Sequence, residues 1–337
     1  MNRPSFDFSA IVGLAAQLAQ DPTAAALLAQ HHPKQLEQVL RVAEFPLVRF
    51  VPFGQGEPPQ HQVAFCAGRA RERWAVCGNR AGKTILGLME DVADCLGINL
   101  VTKGPTRRFD PPIEIWVVSE TEETSIEIAQ RTVAEEILGG DLTSYGWELV
   151  RDETHYTPKG GFRNNNLTFT NGSRIDFKYS SAGRGSFQGT KKHKIHLDEA
   201  QPKDVYSECL ARTIDYGGQM IGTMTPIYDK NHGLPWIFQE LYVQRERKKI
   251  EFYNWSLFDN PHLSAAAKET LVHSWDEDEM EARAYGMFTP MGVSLAFDRK
   301  AMRSWRHGCT AGREGDLQID NHNRLVWQPA RQRAAAV

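Results

Sequence analysis

Residues Cys77-Gly78-Asn79-Arg80-Ala81-Gly82-Lys83-Thr84 follow a short apolar run, Trp74-Ala75-Val76-Cys77. They open a helical pattern, Gly82 to Gly97, in which Ile85, Leu88, Met89, Val92 and Leu96 share a face. A glycine-containing turn between a strand and a helix is what a phosphate-binding loop requires. Backbone N–H groups at the helix start have no partner of their own, and the helix dipole favours negative charge there. On this reading Gly78, Asn79, Arg80, Ala81, Gly82, Lys83 and Thr84 cradle phosphates. Lys83 reaches the β- and γ-phosphates of ATP, and the Thr84 hydroxyl sits on Mg²⁺. The usual spacing puts glycine at position 77; here Cys stands there, with glycine at 78. A chance Gly-Lys-Thr is the competing reading, and the flanking strand and helix weigh against it.

Downstream, Lys194-Ile195-His196-Leu197-Asp198-Glu199-Ala200 runs an apolar stretch into two adjacent acids. In a phosphate-loop ATPase the first acid, Asp198, orders the Mg²⁺ shell. The second, Glu199, polarises the attacking water as general base. Taken alone, two acids after a short strand equally fit a helix cap with a first-turn acid. Gly222-Thr223-Met224-Thr225-Pro226 ends another strand, and a hydroxyl there is placed to sense the γ-phosphate; an ordinary strand exit is the alternative.

Strands and helices alternate around these motifs. Strands are expected at 113–119, 195–197, 219–224 and 249–255, and helices at 121–138, 205–216 and 235–247. Leu167–Thr170, Asn171-Gly172 and Arg174–Tyr179 read as a hairpin with a type I′ turn. The alternation predicts an α/β fold with a mainly parallel sheet and helices on both faces. The strand at 113–118 intervenes between the two motifs in the chain. It implies a sheet with another strand between those bearing the motifs, the additional-strand (ASCE, RecA-like) type of P-loop NTPase. The first fifty residues read as helical, and Gly54–Pro59 as a linker. Three parts result: a helical segment, 1–55; the ATPase domain, 56–290; and a weakly patterned remainder, 291–337.

Bulk properties exclude several classes. The 337 residues are 41% hydrophobic and 24% charged, which fits a globular chain and not a disordered or fibrous one. No apolar stretch is long enough to cross a bilayer, and no membrane partner is expected. Met1–Ala10 carries no apolar core of a signal peptide. Five cysteines at long spacings point to a reduced chain with neither disulfides nor zinc. The formal net charge of −3 announces no nucleic acid, so DNA contact would fall to local clusters. These are Arg69, Arg71 and Arg73; Lys191, Lys192 and Lys194; and Arg245, Arg247, Lys248 and Lys249, each of which also fits a solvated surface.

The joint set resembles the ATPase domain of the large terminase subunit of tailed bacteriophages, which packages DNA into a procapsid. Gln62-x-x-Phe65, Gly78–Thr84 with Arg80 inside it, Ile195–Ala200 and Thr223–Pro226 carry the likeness, over roughly 58–288. The resemblance implies that Gln62 contacts adenine and that Thr223 and Thr225 belong to a coupling motif. It also implies a catalytic arginine. Arg184, in Ser181–Ser186, resembles the finger that reaches a neighbouring subunit's site, with a phosphate or DNA contact as the alternative. Arg80 is a second candidate within its own subunit. Implied partners are double-stranded DNA, the portal, the small terminase subunit and further copies in a ring, in the host bacterial cytoplasm and transiently on the procapsid. The resemblance implies a C-terminal nuclease in whole large terminases, so 291–337 reads as a linker or remnant of that domain; Asp316 and Asp320 lie there in a polar stretch without a strong strand, and no nuclease activity is expected of this chain. A helicase or remodelling ATPase and a non-hydrolysing assembly module are the other readings.

Overall fold

The computed structural model describes residues 8–18, 21–106, 108–227, 234–288, 315–319 and 325–329. Two compact units divide the chain, Met1–Thr289 and Pro290–Val337. Among the described residues of the first, nine strands form: β1 (Glu72–Val76), β2 (Glu114–Ser119), β3 (Tyr156–Thr157), β4 (Gly161–Phe162), β5 (Asn166–Thr168), β6 (Arg174–Tyr179), β7 (Lys194–Asp198), β8 (Gln219–Met224) and β9 (Ile250–Tyr253). Seven of them make one sheet in the order β5-β6-β2-β7-β8-β1-β9, while β3 and β4 pair separately. Only β5 runs antiparallel in the large sheet.

Period-two alternation sorts each strand's apolar residues between two layers. Ala75, Ile115 and Val117 join one core cluster, with Leu86, Leu88 and Val92 of the helix Lys83–Leu96. Trp74, Val76, Trp116 and Val118 join the other, against Val205 of the helix Lys203–Arg212 and Ile237. Helices therefore cover both faces, and an α/β fold with a mainly parallel sheet is what the structure has. Val12, Val39 and Val42 of the N-terminal helices, and Phe45 between two of them, extend the first cluster. Among the described residues no helix is long and apolar enough to cross a membrane.

A strand does separate the two motif-bearing strands β1 and β7, but it is β8, not the 113–118 strand. The latter, β2, lies beyond β7. The consequence is chemical: β8 sets Thr223 directly beside Asp198.

Other differences are local. The hairpin forms, yet Gly172 (φ 91°) has a positive φ and Asn171 does not, so its turn is not type I′. Asn171 instead uses its side chain, accepting from Ser173 N–H and donating to Cys95 O. The predicted helix at 121–138 begins at a Thr121 cap and continues in two wide π-type stretches, Ser125–Gln130 and Thr132–Ile137. Helices at His61–Ala67, Ala265–His273 and Glu277–Tyr285 had no counterpart in the sequence reading. In the second unit β10 (Gly315–Ile319) and β11 (Leu325–Pro329) pair antiparallel. Asp316 therefore stands in a strand, where no strong strand was expected; Asp320 lies outside the described residues.

Two basic clusters are divided: Arg69, Arg71 and Lys191 are exposed, and their other members are internal. Arg73 and Lys194 are fully buried and Lys192 nearly so, with ion pairs to Glu90, to Glu90, Asp91 and Asp94, and to Glu114 and Asp176 respectively. Arg71 is spent on Gly218 O and Thr213 Oγ1. Arg73, Lys192 and Lys194 are therefore taken up inside the fold and offer DNA nothing. Arg247, Lys248 and Lys249 stay exposed.

Lys103 ties the N-terminal segment to the core. Its buried Nζ donates to Leu47 O (3.0 Å) and Phe50 O (2.7 Å). Burial pulls its pKa down to about 8. The folded state thus disfavours the charged form, and the penalty is present at neutral pH and relieved as pH rises from about 8 towards the ordinary lysine value of 10.5. Between pH 7.5 and 10.5 the wild type should gain about 2–3 kcal/mol over Lys103→Met in urea unfolding. A pH-independent difference would mean that Lys103 stays charged in the fold.

Candidate active site

Parallel register brings the carboxyl ends of β1, β8 and β7 side by side. Thr223 is opposite both Ala75 of β1 and Asp198 of β7. The helix Lys83–Leu96 starts just beyond β1, so the phosphate loop faces the acids across one strand. In open parallel sheets this is where ligands bind.

Six of the expected residues meet there. Lys83 Nζ lies 3.0 Å from Glu199 Oε1. Thr84 Oγ1 donates to Asp198 Oδ1 at 3.0 Å, and Thr223 Oγ1 donates to the same oxygen at 2.9 Å. Glu199 Oε2 accepts from Thr225 N–H at 3.0 Å. Thr225 Oγ1 is buried without a hydrogen-bond partner, a polar atom free to meet a ligand beside the acid.

Electrostatics follow from this crowding. Burial would pull Lys83 down, but the charges of Glu199 and Asp198 outweigh it and raise its pKa. Lys83 is therefore a cation throughout the neutral range. Desolvation raises the Glu199 pKa, and Asp198 next door adds to the rise against the opposing Lys83 charge. Glu199 also sits in the left-handed region (φ 64°), a strained conformation for a glutamate. Gln201 Nε2 pins that turn by donating to Asp198 O (2.8 Å) and Glu199 O (3.3 Å).

Residues 254–286 brace the phosphate loop from outside. Gly78 N–H donates to Trp255 O (3.2 Å) and Asn79 N–H to Arg283 O (2.6 Å). Trp255 Nε1 donates to Ala81 O (2.8 Å), and Asn260 Nδ2 to Arg80 O (2.7 Å). A Cβ at Gly78 would sit 2.3 Å from Ala284 O, which gives a physical reason for glycine at 78 and not 77. Sequence reasoning did not find this brace, because its contacts come from main-chain carbonyls and residues about 200 positions away.

The remaining candidates lie elsewhere or act indirectly. Gln62 is buried; its Oε1 accepts from Phe53 N–H and its Nε2 donates to Gly82 O, both at 3.3 Å. Arg80 is exposed with a left-handed backbone (φ 57°). Arg184 is outside the cluster: its guanidinium grips Glu208 Oε1 at 2.6 and 2.8 Å, with its side chain 59% exposed.

For Mg²⁺ the donor set fits. Thr84 and Asp198 supply a hydroxyl and a carboxylate oxygen, hard ligands of the kind Mg²⁺ takes in ones and twos alongside substrate phosphates.

The fold and this cluster define a phosphate-loop NTPase of the additional-strand class. The family model for the terminase large subunit, T4likevirus-type, N-terminal, matches residues 75–301, and the chain belongs to that family. The terminase large subunit of Salmonella phage P22 is 29% identical over 258 residues, 67% of this chain and 48% of that protein. The chain thus spans about half the length of that relative. The large terminase of bacteriophage HK97 is similar with a TM-score of 0.49 at 13% identity, covering 72% of this chain and 54% of that one. The large terminase ATPase domain of Thermus phage P74-26 gives 0.49 at 16% identity, covering 68% and 94%.

Proposed function

We propose that this chain is an ATP-hydrolysing motor subunit of a bacteriophage terminase that drives double-stranded DNA into a procapsid. The observation that carries the reading is the meeting of Lys83, Thr84, Asp198 and Glu199 at the ends of the parallel strands β1 and β7, on either side of β8. Residues 56–290 form the ATPase part on this view, with 1–55 as a helical segment and 291–337 as a linker or part of a further domain.

Each residue's task follows from its chemistry. Lys83 binds the β- and γ-phosphates as a buried point charge. Thr84 and Asp198 would hold Mg²⁺, which when bound neutralises charge on the phosphate oxygens. When Lys83 turns to a phosphate, Glu199 loses its cation while Asp198 remains beside it, and its basicity rises. Glu199 then takes the proton of the attacking water. Thr225, bonded through its N–H to Glu199, and Thr223, bonded to Asp198, pass the change at the acids into the strand exit 223–226. Gln62, touching Gly82, would read adenine at the edge of the loop. Arg80 is the candidate catalytic arginine in its own subunit.

Arg184 is exposed at the start of the short 3₁₀ helix Arg184–Phe187 and bonded to Glu208, away from its own site, which supports a role towards a neighbour in a ring. Portal, small subunit and DNA would be the other partners, in the host cytoplasm and on the procapsid. The test is ATP turnover against protein concentration, with and without double-stranded DNA. Turnover should climb with concentration, and Arg184→Ala should remove the climb, a loss of about 10³-fold or more at saturation, while nucleotide binding persists. An unchanged climb in Arg184→Ala would move the finger to another residue. Absence of any turnover with DNA, at any concentration, would count against the motor.

A further inference from the structure

His196 belongs to the strand that ends at Asp198 and, two residues before it, lies on the same face. Its ring is fully buried. Nδ1 lies 2.6 Å from Asp91 Oδ2, on the phosphate-loop helix. Nε2 lies 2.8 Å from Thr223 Oγ1, the hydroxyl that donates to Asp198 Oδ1 at 2.9 Å. The same oxygen of Asp198 receives the Thr84 hydroxyl. A closed circuit of side chains results: Asp91, His196, Thr223, Asp198, Thr84, leaving the helix at residue 91 and returning to it at residue 84.

The circuit shapes the backbone around it. Gly87 lies between its two ends on the helix, and a Cβ there would stand 2.4 Å from His196 Cε1 and 2.7 Å from Nε2. Glycine inside a helix costs about 1 kcal/mol relative to alanine. Here it lets the imidazole pass flush against the helix. Asp91 is in turn fixed from its other oxygen by Lys194 Nζ at 2.9 Å. No member of this inner half, Asp91, His196 or Thr223, is exposed to solvent.

We propose that His196 is a positioning residue for the metal carboxylate. Asp91 fixes the plane of the ring, and the ring holds the Thr223 hydroxyl in the rotamer that reaches Asp198 Oδ1. Without His196 the Thr223 side chain is free to turn away, and Asp198 loses one of the two hydroxyl contacts that set its orientation. Outer partners of metal ligands typically matter by 10–100-fold in metal affinity. The circuit also joins the metal carboxylate to the start of the helix on one side and to the 223–226 exit on the other. A shift of Asp198 is thus felt at both.

The inference rests on the reading of Asp198 as a metal-holding carboxylate, and one experiment separates the two. Mn²⁺ affinity of the full chain with ADP present is measured by electron paramagnetic resonance, beside urea unfolding of each variant. His196→Asn retains an amide at the Nδ1 position but cannot reach Thr223; His196→Gln places its amide where Nε2 was. Thr223→Val removes only the hydroxyl from a side chain of the same shape. His196→Asn and Thr223→Val should each weaken Mn²⁺ by about 10-fold or more, the double variant no further than either, and His196→Gln should recover most of the loss. Unchanged Mn²⁺ affinity in Thr223→Val, or equal losses in the Asn and Gln variants tracking their unfolding, would overturn the inference. Asp198→Asn is the reference. If it too leaves Mn²⁺ affinity unchanged, the reading of the site fails, whereas its loss beside an intact Thr223→Val condemns the circuit alone.

Discussion

Glu199→Gln is expected to bind ATP as the wild type does and to lose about 10²–10⁴-fold in turnover, the usual contribution of a general base. The substitution keeps the side chain's shape and its hydrogen bond from Thr225 N–H, so the strained turn at 199 has its support. It also removes the partner that Lys83 holds at 3.0 Å. Lys83 is then more available to phosphates, and nucleotide affinity should be unchanged or higher. Loss of turnover with intact binding therefore separates a base from a residue that merely organises the loop. The pH profile adds an independent check. A base must be deprotonated, and the Glu199 pKa is raised by desolvation and by Asp198. The acid limb of the wild-type rate should lie above the ordinary glutamate range, and Glu199→Gln should lack it. Steady-state hydrolysis, with nucleotide affinity from fluorescence titration, decides the matter. Turnover within tenfold of wild type would remove Glu199 from the role.

The strand-and-loop skeleton was legible because the residues that form it carry local signals. Gln219–Met224 is apolar and β-rich between turn residues, and the strand matches the expected limits. Lys83, Thr84, Asp198 and Glu199 were readable from spacing, since a phosphate loop and an acid pair each sit at a strand end. Strand order was not readable in the same way. Nothing local to 113–118 says that β8 and not β2 separates the motifs, because order depends on which crossover packs where. Buried charge was misread for a related reason. Arg73 and Lys194 look like members of basic runs, and only the fold brings Glu90, Asp91 and Asp94 beneath them. His196 carried a faint sign, a polar ring inside an apolar strand. Its meaning came with Asp91 and Thr223, which lie 105 and 27 positions away.

Those buried charges carry the largest effect on stability. Lys194→Met should destabilise the chain by about 3–5 kcal/mol, because breaking a buried ion pair on one side leaves uncompensated charge on the other. Lys194 Nζ lies 3.0 Å from Glu90 Oε1, 2.9 Å from Asp91 Oδ1 and 2.8 Å from Asp94 Oδ2, with every partner fully or almost fully buried. Arg73 and Arg108 still pair with Glu90, so Asp91 and Asp94 bear most of the loss. Burial alone would lower the Lys194 pKa, yet the three carboxylates outweigh it and raise it. A raised lysine pKa means that the contribution is complete below the ordinary value and is lost only as pH climbs through strongly alkaline conditions. At neutral pH the full cost should therefore appear in urea unfolding. Asp91 keeps His196 at 2.6 Å and Asp94 only Arg108 at 3.7 Å, so Asp94 is the less well held of the two. Desolvation raises its pKa even with Lys194 present, and Glu90 adds to the rise. Adding Asp94→Asn to Lys194→Met should thus recover part of the stability by removing a buried charge left with Arg108 alone, at 3.7 Å. Asp91→Asn should recover less, since that carboxylate also anchors His196. A Lys194→Met chain as stable as the wild type, or equal rescue by the two asparagines, would show that these acids do not depend on Lys194.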